Sequence, residues 1–337
     1  MRITRDLLIN SAKNAAAELL LHEIDLVCIY LTGSLLEEQP LLGGATDIDL
    51  ICVHAVQPKA PRTLSPIADE FHLDIAHYPQ SRYSQRHALR QDAWLGSLMC
   101  YSPLILHDTQ HWFEFTQSGV YAQFLQPANT IRRARPFIEQ ARQIWLALDQ
   151  NQSAPAASEI WQYCRALELA GNSLACLNGI PLTERRFILN LPERVQALGH
   201  PELTSSLLNL FMPAEETEES PFTWEVWLSQ WKAAILALNQ TGSCPLSLNA
   251  IRIPYYEMAI QVLPEDNPAA AIWILLRTWT KALANLPRHS PELVSWQQFL
   301  QVIGLGVKNY RNRLQALDGY LELVEDAVNQ WALQNGV

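Results

Sequence analysis

The pattern of apolar residues changes once along this chain, at Gln126-Pro127, and no other feature limits the architecture as strongly. Before that point, short runs rich in β-branched and aromatic residues stand between helical stretches. Leu26-Val27-Cys28-Ile29-Tyr30-Leu31, closed by Gly33, reads as a buried strand. Residues 47–53 alternate before turning apolar, residues 70–77 alternate again, and 103–106 make a further strand. Helices are expected over 3–22 and 81–100. After Gln126-Pro127 only helical periodicity remains, over about 128–150, 157–178, 183–198, 202–211, 223–239, 250–262, 267–285 and 291–333. Several of these helices open on good caps: Ser158 with Glu159, Thr183 with Glu184, and Ser290-Pro291-Glu292. Loops are expected at 153–157 and 215–220. The expected fold class is α+β: an N-terminal α/β module with a small mixed sheet over 1–122, then an all-α domain over 123–337.

Composition narrows the class of function. A length of 337 residues suits two domains with cores of their own, and 49% hydrophobic against 17% charged residues excludes a disordered chain. The net charge of −10 argues against a protein that coats nucleic acid, which needs surplus Lys and Arg, but leaves local nucleotide binding open. Six cysteines form no Cys-x-x-Cys pair, and several have apolar neighbours (Val27-Cys28-Ile29, Ile51-Cys52-Val53), where a thiol acts as a small hydrophobe. The nine histidines are expected to form no metal-binding group. Arg2, Arg5 and Asp6, followed by Glu18, Glu23 and Asp25, do not fit a signal peptide, and runs such as 269–276 are too short to cross a bilayer. A cytoplasmic, reduced protein without membrane contact is expected.

The chemistry concentrates between residues 31 and 76. Leu31-Thr32-Gly33-Ser34 ends the first strand, and eleven residues later comes Thr46-Asp47-Ile48-Asp49-Leu50. Residues two apart on a strand share a face, so Asp47 and Asp49 project together while Ile48 and Leu50 enter the core. Paired carboxylates repel, and a hard divalent ion such as Mg²⁺ relieves that repulsion. Gly33 lets backbone amides approach a phosphate, and Ser34 offers a hydroxyl. In Phe71-His72-Leu73-Asp74-Ile75-Ala76, Asp74 shares its face with His72 and Ala76. Three aspartates would converge if that strand lies beside 47–53, which is the arrangement two-metal phosphoryl or nucleotidyl transfer requires.

Gly-Ser, about a dozen residues, Asp-apolar-Asp and a later strand carboxylate resemble the DNA polymerase β type nucleotidyltransferase superfamily over roughly residues 25–80. With a helical domain following, the chain is most similar to bacterial aminoglycoside adenylyltransferases. The resemblance implies a Mg²⁺-dependent enzyme, with two ions, that transfers AMP from ATP to a hydroxyl of a small cationic acceptor and releases pyrophosphate. It also implies that Gly33, Ser34 and Thr46 contact the triphosphate and that Asp47 and Asp49 bind Mg²⁺. Asp74 would complete the metal site or act as general base. One departure stands out: Leu35-Leu36-Glu37-Glu38 follows Gly-Ser where many minimal members carry an Arg. A protein acceptor, a toxin–antitoxin module and a nucleotide-binding scaffold remain open, as do the nucleobase and the oligomeric state.

The helical domain could supply phosphate-binding charge from Arg165 and Arg185, as helix-borne basic residues do in related adenylyltransferases. The alternative is an ion pair for Arg165 and a solvated face for Arg185 and Arg186. Glu168, three residues after Arg165, is expected to pair with it. Arg132, Arg133 and Arg135, like Lys308, Arg311 and Arg313, read as solvated basic runs, and Arg82 with His87 as a coincidental motif. The eleven tryptophans read mainly as core.

Overall fold

The computed structural model describes residues 3–68, 70–151, 153–213 and 223–337. Two compact units divide the chain, Met1–Thr130 and Ile131–Val337. The first is built as α1 (Arg5–His22), β1 (Leu26–Thr32), β2 (Thr46–His54), β3 (Arg62–Ala68), β4 (Phe71–Pro79), α2 (Arg86–Gln91), α3 (Leu95–Cys100), β5 (Leu104–Asp108) and α4 (Trp112–Phe124). Helix α5 (Pro127–Asp149) spans the division. Then come α6 (Ala157–Asn178), α7 (Phe187–Ala197), α8 (Glu202–Leu208), α9 (Trp224–Gln240), α10 (Ile253–Asp266), α11 (Pro268–Ala284), α12 (Glu292–Val302) and α13 (Tyr310–Gln334). The class is α+β, a small mixed sheet followed by a helical region.

The five strands lie in the order β3-β4-β2-β1-β5. β2 and β4 are parallel, and the other neighbours are antiparallel. A parallel partner needs a crossover. Here the chain passes from β2 to the edge strand β3 and returns antiparallel as β4. Both faces of the sheet are covered. On one, Ile29, Leu31, Ile48, Leu50, Leu73 and Ile75 pack against Leu8, Ala12 and Ala16 of α1. On the other, Tyr30, Ile51 and Val53 meet Leu89 of α2, Met99 of α3 and Phe113, Val120 and Phe124 of α4. Each fully buried large apolar side chain contributes about 1.5–3 kcal/mol relative to exposure.

Several elements depart from the sequence expectations for local reasons. Residues 81–100 form two short helices, because the Asp92 carboxylate accepts the backbone N–H groups of Trp94 (2.9 Å) and Leu95 (2.7 Å) and starts a new one. The stretch 291–333 breaks between α12 and α13, where Gly304 takes φ +74° and Leu305 turns into the core. Helix α4 lay outside the expected elements, and the expected boundary at 122/123 falls inside it, two residues before the fully buried Phe124. Strand β3 lies outside the expected elements because Pro66 interrupts its pattern, which only an edge strand tolerates. The expected 215–220 loop lies outside the described residues.

No described helix is long and apolar enough to cross a membrane. All six cysteines are free, and five of them are buried. Burial pushes the Cys28 thiol up and raises Cys52, Cys164 and Cys176 to about 12, so none of these is a ready thiolate. A disulfide-exchange reagent should therefore modify Cys244 alone in the folded protein and the remaining thiols only after denaturation. Labelling followed by peptide mass mapping checks this.

Candidate functional site

The site starts where β1 ends. Gly33 adopts φ +81°, ψ −166°, a region essentially restricted to glycine. A Cβ there would lie 2.0 Å from Asp49 Oδ2, so the Asp49 carboxylate sits directly against this backbone. The chain then makes a single 3₁₀ turn over Ser34–Leu36. Leu35 anchors the turn in the α1 layer. Arg5 holds it from α1, donating to the carbonyls of Leu35 (3.0 Å) and Leu36 (2.9 Å). Leu35 and Leu36 thus fasten the turn to the core.

Ser34 Oγ lies 3.1 Å from Thr46 Oγ1, and the Thr46 hydroxyl donates to the Asp47 carbonyl (3.3 Å). Thr46 has no accessible surface, whereas Gly33, Ser34 and Asp49 are half-buried. Thr46, expected at the triphosphate, is thus enclosed beside Ser34. Thr46 holds the Ser34 hydroxyl at the start of β2.

Parallel pairing sets Asp47 opposite His72 and Asp49 opposite Asp74. All four share the face that farther along carries Ile51 and Val53. Ligand atoms of Asp47, His72 and Asp74 lie within 4.8 Å of one another, and the three residues are buried. Strand β3 adds a residue that sequence reasoning missed. Arg62 grips Asp74 with two bonds, Nη2 to Oδ2 at 2.7 Å and a close Nε–Oδ1 contact. Its side chain remains 46% exposed while that of Asp74 is fully buried. The only signal in the sequence was a lone Arg at the start of a Pro-containing edge strand.

Arg62 offsets one of three neighbouring carboxylates. The ligand atoms of Asp47, His72 and Asp74 lie close enough together to share one cation, and Asp49 projects from the same face. His72 adds a nitrogen donor at the inner edge of the cluster.

Arg165 and Arg185 have partners within the second unit. Arg185 is buried, donates to the Tyr255 carbonyl (2.9 Å) and lies 3.6 Å from the centre of the Tyr255 ring. Arg165 is half-buried and donates to Gln162 (3.3 Å). Glu168 does not pair with Arg165. It accepts two bonds from Arg277 of α11, the Nε bond at 3.0 Å, because α6 packs its inner face on α11. Arg277 also lies 3.8 Å from Glu184 and over the Trp161 ring at 3.7 Å. The expected solvated basic runs are partly structural. Arg133 is buried, and Arg311 and Arg313 donate to carbonyls of Asp149, Asn151, Gly304 and Met212. Arg82 stacks on Tyr78, and His87 bonds Gln91.

The histidines do group in space. Besides His72 with Asp47 and Asp74, His54 and His77 meet Glu23. Strand pairing brings these residues together across 23 positions of sequence.

Gly33→Ala should destabilise the protein by about 1–3 kcal/mol, the cost of the strained backbone alone, and should displace Asp49. Urea unfolding of the variant measures the first effect. Arg277→Ala, which leaves Glu168 without its buried partner, should cost about 3–5 kcal/mol, read by the same titration. Neither a protein-family model nor a curated protein matches this chain, so the geometry of the site carries the functional reading.

Proposed function

We propose that the chain is a Mg²⁺-dependent nucleotidyltransferase that moves AMP from ATP to a hydroxyl of a small cationic acceptor, as the aminoglycoside adenylyltransferases it resembles do. One observation carries the reading: the Asp49 carboxylate lies against the backbone of Gly33, on the same face as Asp47 and beside the Ser34 turn. A glycine turn for phosphate and a carboxylate pair for its cation thus share one small surface. Asp47 and Asp49 would hold Mg²⁺, which when bound supplies charge neutralisation of the triphosphate. Gly33 leaves room for the phosphate oxygens, and the Ser34 hydroxyl turns from Thr46 to donate to them.

Arg62 answers the departure seen after Gly-Ser. Its half-exposed guanidinium, fixed by Asp74, provides the positive charge that Leu35-Leu36-Glu37-Glu38 lacks. Asp74 thereby acts as a positioning carboxylate for Arg62. The acceptor hydroxyl attacks the α-phosphorus and gives its proton to water, the bond from that phosphorus to the bridging oxygen breaks, and pyrophosphate leaves. An acidic face favours a cationic acceptor over a nucleic acid, in keeping with the net charge of −10. A cytoplasmic setting, where ATP meets reduced thiols, suits this chemistry.

The Arg62–Asp74 pair also favours a second reading, nucleotide binding without transfer, because it engages the third carboxylate. Pyrophosphate release screened against aminoglycosides and other cationic metabolites separates the two. Release with one acceptor establishes transfer, whereas bound ATP with no release across the panel leaves the scaffold. Asp47→Ala and Asp49→Ala should each abolish Mg²⁺-dependent ATP binding in a calorimetric titration. Unchanged binding in both would remove this surface as the nucleotide site.

A further inference from the structure

A second cluster of ligating groups lies on the opposite face of the sheet, at the far ends of β2 and β4. His54 is seven residues beyond Asp47, about 23 Å along a strand, so the two clusters are separate. His54 Nε2 and His77 Nδ1 are 3.0 Å apart, and Glu23 Oε2 lies 3.6 Å from His54 Nε2. All three ligand atoms fall within 4.8 Å of one another. Glu23 ends α1, its N–H bonded to the Leu19 carbonyl at 2.9 Å, which fixes the backbone from which the carboxylate reaches back to the strands.

The outward ring nitrogens are held as well. His54 Nδ1 donates to Asp25 Oδ1 (3.3 Å), which leaves Nε2 as a lone pair facing the cluster. His77 Nε2 lies 3.0 Å from the Thr63 hydroxyl, a group that accepts as readily as it donates. An outer carboxylate or hydroxyl that orients each imidazole is the usual support of a histidine metal site. His77 Nδ1 and His54 Nε2 face each other at hydrogen-bond distance, and the Glu23 carboxylate lies beside the same His54 nitrogen. The histidines are buried, but the Glu23 side chain is 34% exposed, which leaves the cluster open on one side.

We propose that Glu23, His54 and His77 bind a divalent transition-metal ion of the zinc type, with Asp25 and Thr63 as outer-shell supports and water completing the coordination on the open side. Two imidazole nitrogens and one carboxylate select such an ion over Mg²⁺, which prefers all-oxygen shells. On binding, the His77 proton moves from Nδ1 to Nε2 and the Thr63 hydroxyl becomes its acceptor, so no proton need leave the cluster. Tetrahedral coordination separates neighbouring nitrogens by roughly 3.3 Å at ordinary zinc–nitrogen lengths, close to the spacing already present. The site is independent of the proposed nucleotide site.

The test is calorimetric titration of the chelator-treated, reduced full-length protein with Zn²⁺, alongside the absorption spectrum of its Co²⁺ form. One equivalent should bind, unaffected by millimolar Mg²⁺. His77→Ala and Glu23→Gln should weaken binding by more than the roughly 10–100-fold expected for an outer-shell loss, and Asp25→Asn by about that smaller factor. Asp47→Asn should leave Zn²⁺ affinity unchanged. Glu23→Gln keeps the side-chain size at a half-exposed position, so it remains informative if a histidine variant fails to fold. The proposal is overturned if no Zn²⁺ binds, or if binding survives both His77→Ala and Glu23→Gln. It is equally overturned if binding disappears in Asp47→Asn alone.

Discussion

The parallel register between β2 and β4 is the constraint on which both ligand clusters depend. That one pairing sets Asp47 beside His72 and Asp49 beside Asp74 near the start of the strands, and it carries His54 and His77 to their far ends. Because side chains alternate with a period of two, a slip of one residue would turn the aspartates into the α1 layer and Ile48 and Leu50 toward the acids. The apolar residues of both faces resist that slip together. Ile48, Leu50, Leu73 and Ile75 bind the sheet to α1, while Ile51 and Val53 bind it to α2–α4. Burial of ordinary hydrophobes is thus what holds the acids in place.

Charge is handled differently in the two units. In the first, carboxylates share one face with a single guanidinium drawn from the edge strand, which suits a site that takes up a cation. In the second, Glu168 and Glu184 are matched by Arg277 against Trp161, and Arg185 is stacked on Tyr255. Buried pairs of that kind cost much to break and add little net stability when intact. Their value lies in fixing how α6 and α11 meet. Lys281, about one turn after Arg277 on α11, has its ammonium pushed toward the neutral form by burial. Its partner is the Ser247 hydroxyl at 2.5 Å.

Much of this was legible in the sequence because it depends on local periodicity. The strand at 26–31, the acid-bearing strands and most of the helices follow from alternation, helical spacing and caps. Ile48 and Leu50 turned inward as their spacing required, and Asp47 and Asp49 share the other face. What escaped was governed by contacts distant in sequence or by a single side chain. Arg62 sits on a strand that Pro66 disguises, and its role exists only because β3 lies next to β4. Glu168 was expected to bond its helix neighbour Arg165, but α11 presented a better-placed guanidinium on the buried side. Thr46 reads as a phosphate-binding hydroxyl in a motif, and only the tertiary structure shows it buried beside Ser34. Asp92 ended an expected helix by offering its carboxylate to two backbone amides.

By itself the sequence determined the class of fold, the change from mixed to helical texture, and the faces on which the aspartates project. Those are consequences of backbone geometry and of where apolar residues fall along a few turns or strands. The tertiary structure alone decided which charges meet. Arg62 reaches Asp74, Asp49 rests against the backbone of Gly33, and His54 joins His77 and Glu23. Each of those contacts joins residues from different elements, and strand order and register, which no local pattern encodes, bring them within bonding distance.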